Sequence, residues 1–210
     1  MRQSPSHNWH AAAAESFCCA TLLAVSFNSQ YAATMQHNAR QVYLMRGLPG
    51  CGKSHRARRL AGDQGIVLET DQYFYTQVGD DPASYDYSEE LLPKARGWNL
   101  GRLRDAIAQG ISPIVVDRGN GRNPESREYA VCAVEQGYRV ELAEPDSPWW
   151  QELRVLLKYK QYVADELFDA WARKLADATR DGHRVPSATI RHWMSRWRHD
   201  LTVEQILNQS

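Results

Sequence analysis

The amino-acid sequence predicts an α/β fold, in which a mainly parallel sheet lies between helices as the middle of three layers, with further helices at the C-terminal end. From Val42 onward, short apolar segments alternate with amphipathic segments of helical period, which is typical of successive βα units. A glycine-rich turn follows the first apolar segment. Beyond Pro148 the apolar residues recur only at helical spacing.

Four short apolar segments are predicted to be strands. They are Val42 to Arg46, Ile66 to Leu68, Ile114 to Val116 and Tyr138 to Leu142. Helices are predicted through Ala57 and Leu60, from about Ser88 to Gln109, and from Asn123 and Pro124 to Gly137. Gly110 can take the left-handed conformation that ends a helix, and the Asn-Pro pair supplies a cap and a first-turn proline.

The C-terminal region predicts two long helical segments. The first carries Leu153, Leu156, Leu157, Val163, Leu167, Trp171 and Leu175, and the second carries Ile190, Trp193, Met194, Trp197 and Leu201. A polar, positively charged hinge from Arg180 to Arg184 separates them. We expect one domain over residues 35–210, with a helical lid region at about 151–200.

Length and composition limit the classes of function. A chain of 210 residues has room for one domain, or one with an appendage. The count of Lys+Arg, 25, equals that of Asp+Glu, so net charge gives no reason to expect a dedicated nucleic-acid binder, although a local basic surface stays open. No apolar run approaches the ~20 residues that cross a bilayer, so no membrane partner is expected.

The cysteines predict a reducing, cytoplasmic setting. Cys18, Cys19, Cys51 and Cys132 show no metal-ligand spacing, and a core of this size needs no disulfide scaffold.

Residues 1–34 predict a disordered extension. Arg2 and Glu15 are their only strong charges, and one apolar stretch runs from Phe17 to Phe27. A secretory signal is an alternative, but its basic region is weak and Glu15 follows it. Met35 lies just ahead of the first strand, so the segment is otherwise an extension from an upstream start or a dispensable tail.

The turn after the first strand carries a phosphate-binding motif. The run Gly47-Leu48-Pro49-Gly50-Cys51-Gly52-Lys53-Ser54 matches GxxxxGK[ST] at every specified position. Glycines let backbone N–H groups turn inward around phosphate oxygens, and the following helix presents its positive end. In such a loop, Lys53 would bridge the β- and γ-phosphates and the Ser54 hydroxyl would ligate Mg²⁺. The motif therefore predicts a P-loop, which binds the phosphates of a nucleotide.

Two carboxylates follow strands of the predicted sheet, Asp71 after the second and Asp117 after the third. Reactive groups gather at the carboxyl ends of parallel strands. A carboxylate there can accept the proton of an attacking hydroxyl or hold Mg²⁺ through water. We assign the first role to Asp71 and the second to Asp117; the alternative for each is an Asp that caps a loop or a helix.

The hinge offers a mobile positive charge. Phosphoryl transfer needs such a charge on the departing phosphate, and a small kinase usually supplies it from a lid. Arg180 is the first candidate, with His183 and Arg184 beside it. The alternative is an arginine that is only solvated or paired at the surface.

Several segments together resemble the P-loop kinases of the polynucleotide 5′-hydroxyl kinase type, and in particular the kinase-like AAA-family ATPase domain of NEDD-four-binding protein 2-like proteins. They are MRGLPGCGKS (45–54), LETDQYF (68–74), ARGWNLGRL (95–103), GISPIVVDRGN (110–120), EQGYRVELAEPDSPW (135–149) and RDGHRVPSATIRHWMSRW (180–197). The resemblance implies a parallel sheet with flanking helices, ATP and Mg²⁺ as cofactors, and transfer to a hydroxyl, classically a nucleic-acid 5′ end. It implies that Asp71 is the catalytic base and Arg180 the lid arginine, and it matches Trp98 and Asn99 to a pair of undefined role.

The chain also departs from that family. The residues after the third strand are Asp117-Arg118-Gly119-Asn120 instead of D-N-T-N, and Asp181 replaces an asparagine. From Gly62 to Leu92 there is no Lys or Arg, and acidic residues accumulate. That stretch would repel a phosphate backbone unless it is turned away from the acceptor.

Three hypotheses for the function follow. The first is an ATP-dependent kinase acting on a nucleic-acid end, and the second is a kinase of antibiotics, sugars or toxin-like small molecules. The third is an ATP-binding interaction module with little turnover.

Cys51, inside the phosphate loop, suggests a hypothesis of its own. A thiol near a helix N-terminus can have a lowered pKa and act as a redox switch. The alternative is a small residue at an unconstrained motif position.

Overall fold

The computed structural model describes residues 40–76, 87–119, 124–179 and 184–208. The predicted extension at residues 1–34 lies outside these ranges. Among the helices in these ranges, none combines the length and the apolar character that a membrane span requires.

The described residues form a three-layer αβα domain around a parallel sheet of four strands. The strands are β1 Gln41–Met45, β2 Ile66–Glu69, β3 Ile114–Asp117 and β4 Arg139–Ala143. Their order in the sheet is β2-β3-β1-β4, and every neighbouring pair is parallel. All four predicted strands are confirmed, and β2 and β3 continue one residue further than expected, to Glu69 and Asp117.

Helices connect the strands and cover both faces of the sheet. They are α1 Lys53–Ala61, α2 Gln72–Thr76, α3 Leu92–Ala108 and α4 Pro124–Glu135. The helix predicted from Ser88 begins at Leu92, with Pro93 in its first turn, where a missing N–H costs little. Gly110 takes the predicted left-handed conformation after it, with φ 71°.

The C-terminal region contains more breaks than the two predicted segments allow. It consists of α5 Pro148–Lys158, a 3₁₀ turn Lys160–Tyr162, α6 Asp165–Ala178, α7 Ser187–Ser195 and α8 Val203–Leu207. The first predicted segment is interrupted because Ala164 is extended and a new helix begins after it. Asp165 and Glu166 lie in the first turn of α6, where negative charge complements the helix dipole.

Alternation along β1 separates two apolar layers. Val42 and Leu44 pack with α3 and α4 on one face of the sheet, and Met45 packs with Ala57 of α1 on the other. A third cluster, which we call the C-terminal core, joins the C-terminal helices to the phosphate loop. Its buried members are Leu48, Cys51, Trp150, Leu153, Leu157, Phe168, Trp171, Ala172, Leu175, Ile190, Met194 and Trp197. The loop that precedes α1 therefore rests on the C-terminal helices.

Candidate functional site

The phosphate loop, residues 47–54, runs from the end of β1 into α1. Gly50 and Gly52 have φ values of 72° and 91°, in the left-handed region that favours glycine. Gly52 is the N-cap of α1 and offers no side chain to the first-turn N–H groups. Those N–H groups have no partners within the helix and can meet an anion.

Lys53 and Ser54 begin α1 and line the cleft beside the loop. The Lys53 Nζ donates a hydrogen bond to the Leu48 carbonyl oxygen at 3.0 Å. The ammonium group therefore lies across the loop, within the ring of residues that is predicted to surround phosphate oxygens. A phosphate oxygen can replace the carbonyl as its acceptor.

The cleft has a volume of about 850 Å³ and brings together four of the predicted site residues that carry functional side chains. Lys53, Ser54, Asp71 and Asp117 all line it. Asp117 is the last residue of β3 and pairs in register with Glu69 of β2, so both carboxylates lie at the carboxyl edge of the sheet. Asp71 follows two residues after Glu69, in the turn between β2 and α2.

Asp117 and Ser54 have the chemistry that Mg²⁺ requires. The Asp117 residue is 7% exposed, and the hydroxyl-bearing Ser54 is partly exposed on the same cleft. Mg²⁺ prefers oxygen ligands, and it usually takes one or two from the protein and the rest from phosphates and water. The residues present therefore fit a magnesium ion bound beside a triphosphate.

Cys51 is fully buried within the C-terminal core. Burial raises the pKa of its thiol to about 11, although the Lys53 charge acts in the opposite direction. The thiolate is the reactive form, so a raised pKa makes the thiol inert. The structure thus favours a small packed residue at this position over the redox switch.

The described residues on either side of 180–183, in the predicted hinge, border the cleft. Arg180 lies outside the described residues, but Thr179 and Arg184 on either side of residues 180–183 line the cleft. The Arg184 N–H donates to the Thr179 carbonyl oxygen at 2.9 Å, and the Val185 N–H donates to the Thr179 hydroxyl at 3.0 Å. In the sequence, Arg180 comes directly after Thr179, a buried threonine that is hydrogen-bonded to Arg184 and Val185.

Two residues in or near the site, Asn99 and Arg118, were not assigned a role from the sequence. Asn99 is completely buried on α3, and it contacts Thr70, the residue before Asp71. Arg118 lines the cleft, and its guanidinium carbon lies 5.8 Å from the centre of the Tyr129 ring. The sequence did carry a signal for Asn99, because it is a polar residue among the apolar positions of α3. Buried polar groups need hydrogen-bond partners, so this position indicated a specific polar contact.

The fold and this site define the class of protein: a nucleotide-binding P-loop domain of the αβα type. The sheet is parallel, a glycine loop joins β1 to α1, and carboxylates end the adjacent strands. A family model described as an AAA domain matches residues 42–198, and the chain belongs to that family.

Known proteins share this domain within much longer chains. Over 110 residues, 51% of this chain, it is 38% identical to human NEDD4-binding protein 2 and spans 6% of that protein. Over 126 residues, 50% of this chain, it is 31% identical to human YLP motif-containing protein 1, again spanning 6%. Over 126 residues, 50% of this chain, it is 29% identical to rat YLP motif-containing protein 1, and the match spans 9% of that protein. The resemblance to NEDD4-binding protein 2-like P-loop domains is confirmed.

Proposed function

We propose that this protein is an ATP-dependent kinase that transfers the γ-phosphate to a hydroxyl, with a polynucleotide 5′-hydroxyl as the leading acceptor. One observation carries the proposal: Lys53, Ser54, Asp71 and Asp117 line a single cleft. The first two are suited to bind a triphosphate, while Asp71 is suited to activate the attacking oxygen. A site for nucleotide binding alone has no need of a base in that position.

The phosphate loop holds the triphosphate in this proposal. Its N–H groups donate to phosphate oxygens, and the Lys53 ammonium leaves the Leu48 carbonyl to bind between the β- and γ-phosphates. Ser54 and Asp117 are the residues that would hold Mg²⁺. When bound, that ion neutralises negative charge on the phosphates.

Asp71 acts on the acceptor. Its carboxylate accepts the proton of the acceptor hydroxyl while that oxygen forms a bond to the γ-phosphorus. The bond between the γ-phosphorus and the β–γ bridging oxygen breaks, and ADP leaves with the electron pair. Arg180 is the proposed source of positive charge on the leaving phosphate.

A small alcohol is the second candidate acceptor, and the carboxylates beside the proposed base favour it. Glu69, Asp71 and Asp117 line the cleft, together with Lys53 and three arginines. Carboxylates there oppose the approach of a phosphodiester backbone. Support for a polynucleotide comes instead from the resemblance to 5′-hydroxyl kinases over most of the domain.

Phosphate transfer from labelled ATP distinguishes these acceptors. The panel contains a 5′-hydroxyl oligonucleotide, the same oligonucleotide with a 5′-phosphate, and small alcohols. Label on the 5′-hydroxyl form alone supports the leading acceptor, and label on an alcohol supports the second. Lys53→Ala should lose transfer, whereas Lys94→Ala, at an exposed position on α3, should keep it. ATP binding without transfer to any acceptor would contradict a kinase and favour an interaction module.

A further inference from the structure

Helix α3 holds the residues on both sides of Asp71. The Asn99 Nδ2 donates to the Thr70 hydroxyl oxygen at 3.4 Å, just before Asp71. The Arg102 Nη1 donates to the Gln72 Oε1 at 2.6 Å, just after it. These two side chains lie on one face of α3, because they are three residues apart.

The first of these contacts belongs to a buried polar cluster of Thr70, Asn99 and Tyr129. All three residues are at most 5% exposed. The Asn99 Nδ2 also donates to the Tyr129 hydroxyl at 3.1 Å, so one amide group contacts both hydroxyls. Such a cluster costs free energy in an apolar core unless its members are satisfied, and once satisfied it fixes one arrangement.

Trp98 packs against Arg102, the residue that makes the second contact, with Gln72. The Arg102 guanidinium carbon lies 4.6 Å from the centre of the Trp98 ring, which orients the guanidinium plane. The Trp98 ring also meets the edge of Tyr73, with centroids 5.7 Å apart. A further Arg102 nitrogen, Nη2, donates to the Val67 carbonyl oxygen of β2 at 3.5 Å. Arg102 thus connects Val67, in the first half of β2, to Gln72 at the start of α2, across the turn that carries Asp71.

We propose that Trp98, Asn99 and Arg102 are positioning residues that hold the Asp71 carboxylate in the cleft, acting through Thr70 and Gln72. This inference rests on the proposed function, in which Asp71 is the base. It gives the Trp98–Asn99 pair a physical task. Misplacement of a reacting group by about 1 Å can lower the rate on the order of 10²-fold. We therefore expect the fixed turn around Asp71 to contribute a comparable factor to kcat.

Two variants test the proposal by their kinetics. Arg102→Met keeps an unbranched stem over Trp98 and removes the hydrogen bonds, and Asn99→Leu removes the amide that contacts both the Thr70 and the Tyr129 hydroxyl. Each should lower kcat by about 10–100-fold with the KM for ATP unchanged. In an Asp71→Asn background neither should lower kcat further, because the base they position is gone. Equal losses in both backgrounds, or a rise in KM alone, would overturn the proposal.

Arg104→Met is the matched control, because Arg104 is exposed on the same helix. It should leave kcat unchanged. If Asn99→Leu fails to fold, Arg102→Met carries the test alone.

Amide hydrogen exchange gives a second readout that needs no activity. In both variants a peptide covering residues 68–74 should exchange at least about tenfold faster, while the phosphate loop at residues 47–54 exchanges as in wild type. Unchanged exchange over 68–74 would overturn the positioning role. A wild-type protein that transfers phosphate to no acceptor would instead defeat the proposed function, and exchange would still decide the role of α3.

Discussion

Replacing Gly50 by alanine tests how the phosphate loop rests on the C-terminal helices. A Cβ at this position would lie 2.5 Å from the Leu175 carbonyl oxygen of α6 and 3.1 Å from the Ala178 Cβ. The first of these neighbours is backbone inside a helix, which cannot turn aside. Gly110 is a matched control, since its φ of 71° almost equals the 72° of Gly50, but a Cβ there meets nothing within 4 Å.

The two substitutions share one cost and differ in another. A left-handed conformation costs a residue with a Cβ about 1–2 kcal/mol, and this applies at both positions. Overpacking adds about 1–3 kcal/mol, and this applies only at Gly50. Gly50→Ala should therefore lower the free energy of unfolding by about 1–3 kcal/mol more than Gly110→Ala. In a domain of this size each kcal/mol corresponds to about 2–4 °C in Tm.

Urea and thermal denaturation of wild type and both variants measure this difference. Circular dichroism and tryptophan fluorescence should give coincident transitions, which justifies a two-state treatment. Equal destabilisation by the two substitutions would refute the packing of α6 against the phosphate loop.

The remaining predictions concern the cleft and the buried thiol. Lys53→Ala should lower the transfer rate by roughly 10²–10³-fold, as loss of a preorganised charge does, and an unchanged rate in steady-state assays would exclude its role. Asp71→Asn should lower turnover while calorimetric ATP affinity stays at the wild-type value; unchanged turnover would remove Asp71 as the base. Cys51 should resist iodoacetamide at pH 8 in the native protein, because with a pKa of about 11 only about 10⁻³ of the thiol is thiolate. Peptide mass spectrometry should find Cys132, which is partly exposed, modified before Cys51, and rapid native modification of Cys51 would contradict its burial.

The strands and the phosphate loop could be predicted because their signals are local. Short apolar runs between turn residues and the GxxxxGK[ST] spacing depend on neighbours in the chain. The shared cleft of Lys53, Asp71 and Asp117 also followed, since carboxyl ends of parallel strands meet at one edge.

Features that depend on distant contacts could not be predicted. For Cys51 the sequence left two alternatives, a redox switch and a small residue at an unconstrained motif position. The pKa of its thiol is raised mainly by burial among helices about a hundred residues later, for which the local sequence has no signal. The contact of Asn99 with Thr70 spans 29 positions and has no sequence pattern of its own. The break near Ala164 was missed because apolar spacing continues across it, although Asp165 and Glu166 signal a helix start.

Titration calorimetry with ATP and Mg²⁺ tests the central claim most directly, because every proposed step requires a bound triphosphate. Wild type should bind with one site per chain, and Lys53→Ala should bind much more weakly at the same protein concentration, while Lys94→Ala should match wild type. An absence of binding heat at any accessible ATP concentration, confirmed by equilibrium dialysis, would contradict the account.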